Sequence, residues 1–172
     1  FSLLLLISLS GFSQKFEEVF THSHGSTDWQ GISDLKVHGK YMYMVGSYGG
    51  TLTIDTLTII ETDTIENGYF AKLDTLGNLI WLKRYDKAPL GRIALDTNDN
   101  IFILGIFNDT VYFDSTNYLT EFNVLSKEMF LLKLNSNGDF LWATQFVATF
   151  TFQLPVISGP LLVVAKNQSV QV

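Results

Sequence analysis

The segment FAKLDTLGNLIW at 70–81 returns as LLKLNSNGDFLW at 131–142. Trp81 and Trp142 stand 61 positions apart, and Gly77 with Gly138, Lys72 with Lys133 and Leu73 with Leu134 keep that offset. A strand–turn–strand motif that returns after about 60 residues indicates a repeat architecture, in which one unit cannot bury its own faces and stacks on the next.

The residues around the motif read as short strands. KYMYMVGSY (40–48) and NIFILGIF (100–107) are aromatic and β-branched runs closed by glycine, too short for helices and apolar on both faces. They align on Gly46 and Gly105 with an offset of 59, which holds through Thr51/Thr110 and Asp55/Asp114. Tyr43 then falls opposite Phe102, Tyr48 opposite Phe107 and Ile54 opposite Phe113. Two extra residues in the second connection move the offset to 61, as loops tolerate insertion. Each unit reads as four main strands with a smaller hairpin-like excursion between the second and third. The predicted strands are 33–38, 40–48, 68–74 and 78–85 in the first unit, and 92–96, 100–107, 129–135 and 139–146 in the second. The turns DTLGN (74–78), DTNDN (96–100) and NSNGD (135–139) are rich in residues that accept left-handed φ and bond nearby amides. The fold class is therefore all-β, built of antiparallel four-stranded units. An aromatic closing each fourth strand points to β-propeller blades.

A 172-residue chain that is 47% hydrophobic and 16% charged has a globular composition. Its net charge of −6 argues against nucleic acid, whose binders need a basic stripe. Anionic membrane surfaces are disfavoured for the same reason. The absence of cysteine excludes disulfides, thiolate metal sites and cysteine nucleophiles.

Residues 1–13, FSLLLLISLSGFS, form an apolar run far shorter than the roughly 20 residues of a spanning helix. Gly11 and Ser13 lie at the −3 and −1 positions of a cleavage before Gln14, where charged residues begin. This is the pattern of a secretory signal peptide lacking its initiator Met and basic start. The expected location is thus secreted or cell-surface, with no membrane insertion of the mature chain. The expected organisation is a truncated signal peptide at 1–13 and a lead-in segment at 14–31. Blade repeats follow at 32–91 and 92–149, with a partial third repeat or tail at 150–172.

The pattern IALDTNDNIFILGIF followed by FLLKLNSNGDFLW, with KLDTLGNLIW (72–81) as its earlier copy, resembles the SBBP (seven-bladed beta-propeller) repeat family. The resemblance covers roughly 32–146 and implies a β-propeller from an exported bacterial protein. The first unit departs from it at VHGKY (37–41), and the stretch after Phe150 departs further, with SGPLLVVAKNQ (158–168) as a candidate strand pair. Two units and a partial third are too few to close a ring of four to eight blades. The expectation is a fragment, whose missing blades are partners and whose apolar face drives self-association.

No residue set reads as catalytic, cofactor-binding or metal-ligating. Trp81 and Trp142 read as inter-blade packing residues, because they recur at one structural position and large aromatics dominate core burial. Tyr41, Tyr43 and Phe102 read as core. Asp96, Asn98 and Asn100 have the D-x-N-x-N spacing of a calcium loop, but Ile101 stands where the loop's glycine belongs and Phe107 where its glutamate belongs, which leaves a turn role. Asp55 and Asp114 repeat one turn position. His22 and His24 form an H-x-H pair with Asp28 nearby, read as part of a polar lead-in rather than half a zinc site. His38 is isolated in a turn. Asn108-Asp109-Thr110 and Asn167-Gln168-Ser169 match the glycosylation sequon and are assigned no role. No P-loop, Rossmann glycine pattern, Ser-His-Asp order or sialidase-type Asp box is present.

These readings favour a non-enzymatic exported scaffold whose interaction surface for a protein or glycan lies on the excursions 49–67 and 108–128. The alternative is part of an enzyme or cofactor-binding propeller. GNLIWLKRY resembles the ending of pyrroloquinoline-quinone-type repeats, although those units run nearer 40 residues than 60.

Overall fold

The computed structural model describes residues 29–61, 65–122 and 128–146, together with one short strand pair near the C-terminus. The signal-peptide reading, most of the lead-in with His22, His24 and Asp28, and the sequon at Asn167 fall outside the described residues.

Every described element is a strand, and no described helix is long and apolar enough to cross a membrane. The first sheet consists of β1 (Trp29–His38), β2 (Tyr41–Gly49), β5 (Asn67–Asp74) and β6 (Leu79–Tyr85), antiparallel in that order. A separate hairpin, β3 (Thr51–Ile54) with β4 (Leu57–Ile60), is inserted between its second and third strands. The second sheet repeats this plan with β7 (Leu90–Leu95), β8 (Ile101–Phe107), β11 (Glu128–Leu134) and β12 (Phe140–Phe146). Its inserted hairpin is β9 (Thr110–Tyr112) with β10 (Tyr118–Thr120). β13 (Val163–Val164) pairs with β14 (Val170–Gln171) inside the expected third repeat or tail. The all-β, antiparallel expectation holds, and the eight predicted main strands are all present. The described sheets close neither a barrel nor a ring.

The recurring glycines have a steric cause. Gly46 pairs with Tyr69 across β2 and β5, and Gly105 pairs with Phe130 across β8 and β11. In each pair the outer edge of the aromatic ring comes up to the glycine, and at Gly46 the Gly31 carbonyl oxygen crowds the same space. A Cβ on Gly46 would sit 2.7 Å from the Tyr69 ring, and one on Gly105 would sit 2.5 Å from the Phe130 ring. Only a residue without a side chain permits this approach.

The sheets stack through one shared core. Tyr43, Val45 and Phe70 of the first sheet pack with Ile93, Ile103, Phe130 and Leu132 of the second. Each large side chain so buried contributes about 1.5–3 kcal/mol. Strand alternation puts Met44, Tyr69 and Ala71 on the other face of the first sheet, where they form a second core with the β3–β4 hairpin. By the repeat offset these are the counterparts of Ile103, Phe130 and Leu132. Likewise Phe102, Leu104 and Leu131, the counterparts of Tyr43, Val45 and Phe70, lie on the face of the second sheet that points away from the first. The two sheets therefore stack in the same sense, the front of one on the back of the next.

Candidate functional site

The repeated Lys–turn–Trp motif can be followed from its turns upward. In the turn 74–78, Asp74 Oδ1 accepts the amides of Leu76 at 2.8 Å and Asn78 at 2.9 Å. Asn78 Nδ2 donates back to Asp74 Oδ2 at 2.7 Å. Asp96 does the same for Asn98 and Asn100 in the turn 96–100. In the turn 135–139 the chemistry is exchanged end for end: Asn135 Oδ1 accepts the amides of Asn137 and Asp139, and Asn135 Nδ2 donates to Asp139 Oδ2. The fourth position of each turn has positive φ, +92° at Gly77, 62° at Asp99 and +84° at Gly138. Such a conformation suits Gly, Asn and Asp. The carboxylate of Asp96 is thus engaged in turn geometry, in keeping with the turn reading of its D-x-N-x-N spacing. Asp55 and Asp114 also sit in turns, those of the two inserted hairpins. Asp114 gathers the amides of Thr116 and Asn117 and the side-chain amide of Asn117.

One of these turns seats between the sheets. Lys72, only 9% exposed, crosses from β5 and donates from Nζ to the backbone oxygen of Ser136 at 3.2 Å. Its ammonium lies 4.1 Å from the Tyr41 ring centre and 5.2 Å from that of Tyr43, a cation–π cradle. Gly138 is buried against the first sheet, where an added Cβ would stand 3.2 Å from the Trp81 indole and 2.7 Å from Lys83 Cε. Trp81 itself packs edge-on to Phe70 at 4.8 Å. The expected inter-sheet role of Trp81 is borne out. Trp142 differs: it is 40% exposed and rests edge-on against Phe102 of its own sheet. The face of the second sheet that bears Trp142 points away from the first, and the described residues include no third four-stranded sheet against it. Lys133, the partner of Lys72 in the repeat, lies over the Phe102 ring and 3.8 Å from Asp96.

Further polar contacts tie the sheets along their edge strands β1 and β7. Asp34 Oδ2 accepts the amide of Ile93 at 3.1 Å, and Arg92 donates to the Ser33 backbone oxygen at 3.1 Å. His38 is not isolated as expected, since its Nε2 stands 2.8 Å from Asp99 Oδ1 in the neighbouring turn. Tyr43 and Phe102 are buried and Tyr41 is half-buried, as core residues should be.

The excursions build a separate feature. A cleft of about 420 Å³ opens between the two inserted hairpins and the edge strand β6 of the first sheet. Leu57 and Ile59 of β4 and Leu82 of β6 give it an aliphatic wall. Tyr112 and Phe113 face it from the second hairpin, with Arg84, Asp86 and Asp114 as its charged groups. Arg84 is held by an ion pair to Glu61, whose Oε1 also accepts from the Tyr48 hydroxyl at 3.4 Å. Burial pushes the Tyr48 hydroxyl up to about 12, so it stays neutral. Its hydrogen bond from the Asn117 side chain, with those of the turn amides, holds Asp114 down at about 2. The cleft offers apolar and aromatic surface with fixed charge at its edge, and pairs no nucleophile with a base among its lining residues. The Tyr48–Glu61–Arg84 cluster was not foreseen from the sequence, because 13 and 23 residues separate its members. Among the described residues no group of three or more His, Cys, Asp or Glu could hold a metal ion.

No protein-family model matches the chain, and no curated protein matches it.

Proposed function

We propose that this chain is a segment of an exported β-propeller, each four-stranded sheet being one blade, and that it acts as a non-enzymatic scaffold displaying an interaction surface at the cell exterior. The observation that carries the reading is the same-sense stacking of the sheets. The face of the first sheet that bears Tyr43 receives the second sheet, and Lys72 and Trp81 receive the next unit's turn. Radial repetition of four-stranded blades uses this arrangement. It gives the repeated lysine, turn and tryptophan an architectural role, as the resemblance to the seven-bladed beta-propeller repeats implies. The strands are committed to packing, which leaves the inserted hairpins and their cleft as the surface for a protein or glycan partner.

Two assays on the purified chain test this. Reduction of a redox dye with added pyrroloquinoline quinone is expected to stay at the level of a heat-denatured control. Binding to glycan or protein ligands is expected to fall with Tyr112→Ala at an unchanged unfolding midpoint. Quinone-dependent dye reduction that saturates with an alcohol or sugar substrate would sink the scaffold reading.

A further inference from the structure

The acidity of the chain is concentrated on the excursions. Residues 49–67 carry Asp55, Glu61, Asp63 and Glu66 and no Lys or Arg, a net of −4. Residues 108–128 carry Asp109, Asp114, Glu121 and Glu128 against Lys127 alone, a net of −3. By sequence they sum to −7 against −6 for the whole chain. Within that sum Glu61 balances Arg84, Asp109 pairs with Lys87 and Glu128 is buried in β11, so among the described residues Asp55, Glu66, Asp114 and Glu121 carry the remaining acidity of the excursions. The same excursions expose large apolar side chains. Tyr112 and Tyr118 are 61% and 58% exposed and pair across β9 and β10 with rings 5.5 Å apart. Leu57, Ile60 and Phe122 are exposed on the same two segments. Of these, Leu57 and Tyr112 line the cleft, and exposed apolar side chains at a cleft mark an interaction site whose partner is selected by the charge beside them.

We infer that the cleft between the inserted hairpins binds a basic, partly apolar peptide segment of a partner protein, resting on the interaction-surface reading above. Its aliphatic side chain would pack against Leu57, Ile59 and Leu82. A flanking arginine or lysine would lie over the Tyr112 ring within reach of Asp86 and Asp114. Aromatic face plus carboxylate is the arrangement that favours a cation over a neutral sugar. Arg84 does not oppose this guest, because Glu61 already balances its charge. An acidic ligand is disfavoured by the same field, which also speeds the encounter with a basic one.

The test uses fluorescence anisotropy of the full chain with a labelled octapeptide of alternating arginine and leucine, at physiological salt. Saturable binding is expected. Tyr112→Ala, which changes no charge, should weaken it at least fivefold, and Asp86→Asn should weaken it at least threefold and flatten its salt dependence. Asp99→Asn, an equal charge change in the turn 96–100, should leave it unchanged. Equal loss with Asp99→Asn and none with Tyr112→Ala would overturn the inference, since the peptide would then be following diffuse charge. Tyr112-dependent binding of neutral glucans in place of the peptide would also overturn it, while leaving the scaffold reading intact. Quinone-dependent turnover, by contrast, would remove the scaffold reading itself.

Discussion

The first and second sheets have one plan and nearly one register, yet their matching tryptophans live in different surroundings. Trp81 lies against the buried Gly138 of the following unit, whereas Trp142 is 40% exposed on a face that points away from the first sheet. The turns show the converse. Gly138 is wedged against Trp81 and Lys83, while nothing lies within 4 Å of where a Cβ on Gly77 would be, and Leu76 beside it is 79% exposed. Each unit thus carries a socket and a plug of the same design, and only the socket of the first and the plug of the second are engaged with each other. The same motif yields different energetics because the neighbour, not the motif, supplies the burial.

The largest separation between the sheets is expected from their tryptophans. Trp81→Ala should destabilise the chain by about 3 kcal/mol, since it empties part of the shared core, whereas Trp142→Ala should cost about 1 kcal/mol or less. Chemical denaturation of both variants measures this. Equal losses would mean that the two tryptophans share one environment and that the stacking is wrong.

Acid should separate the turns more weakly. Asp74 has its carboxyl held below the ordinary value by hydrogen bonds, first from the Asn78 side chain and then from turn amides. At Asp96, burial opposes ionisation but is outweighed by hydrogen bonds from Asn100 and Asn98 and by Lys133. A depressed folded value means stability that is fully present above the unfolded aspartate range, near pH 4, and is lost as pH falls through the folded value. For Asp114 that loss should run from about pH 4 down to about 2, the value at which its carboxyl is held. In the turn 135–139 the amide-accepting position is Asn135, which does not titrate. Followed by NMR, the amide proton of Leu76 should therefore shift with acid below pH 4 and that of Thr116 should inflect near 2, while that of Asn137 stays nearly still. Parallel shifts at Leu76 and Asn137 would show that the turns are not held as described.

Much of this fold was legible before any coordinates. Period, glycine alignment and Asx-rich turns placed the eight main strands to within a few residues, because strand alternation and turn chemistry are local properties. The start of β1 was not legible. Gln30 and Gly31 have little strand character, and they are drawn into the sheet by pairing with Tyr48 and Ser47 and by the Thr53 amide donating to Gln30 Oε1 at 2.9 Å. The exposure of Trp142 was missed for a similar reason, since a repeated residue predicts a repeated position but not an occupied neighbour. The cleft was legible only as two excursions. Its ion pair joins Glu61 to Arg84, and its walls come from strands more than 50 residues apart.

The seating of the second sheet's turn on Trp81 is the contact on which the stacking account stands, and a double-mutant cycle between Trp81 and Gly138 reads it directly. Alanine at Gly138 and at Gly77 imposes a similar backbone penalty, because both have positive φ. Gly138→Ala should cost about 1 kcal/mol more than Gly77→Ala in the native chain, and that excess should shrink when Trp81 is already alanine, what remains coming from Lys83. An excess that persists unchanged in the Trp81→Ala background, or is absent from the start, would contradict the stacking of the two sheets.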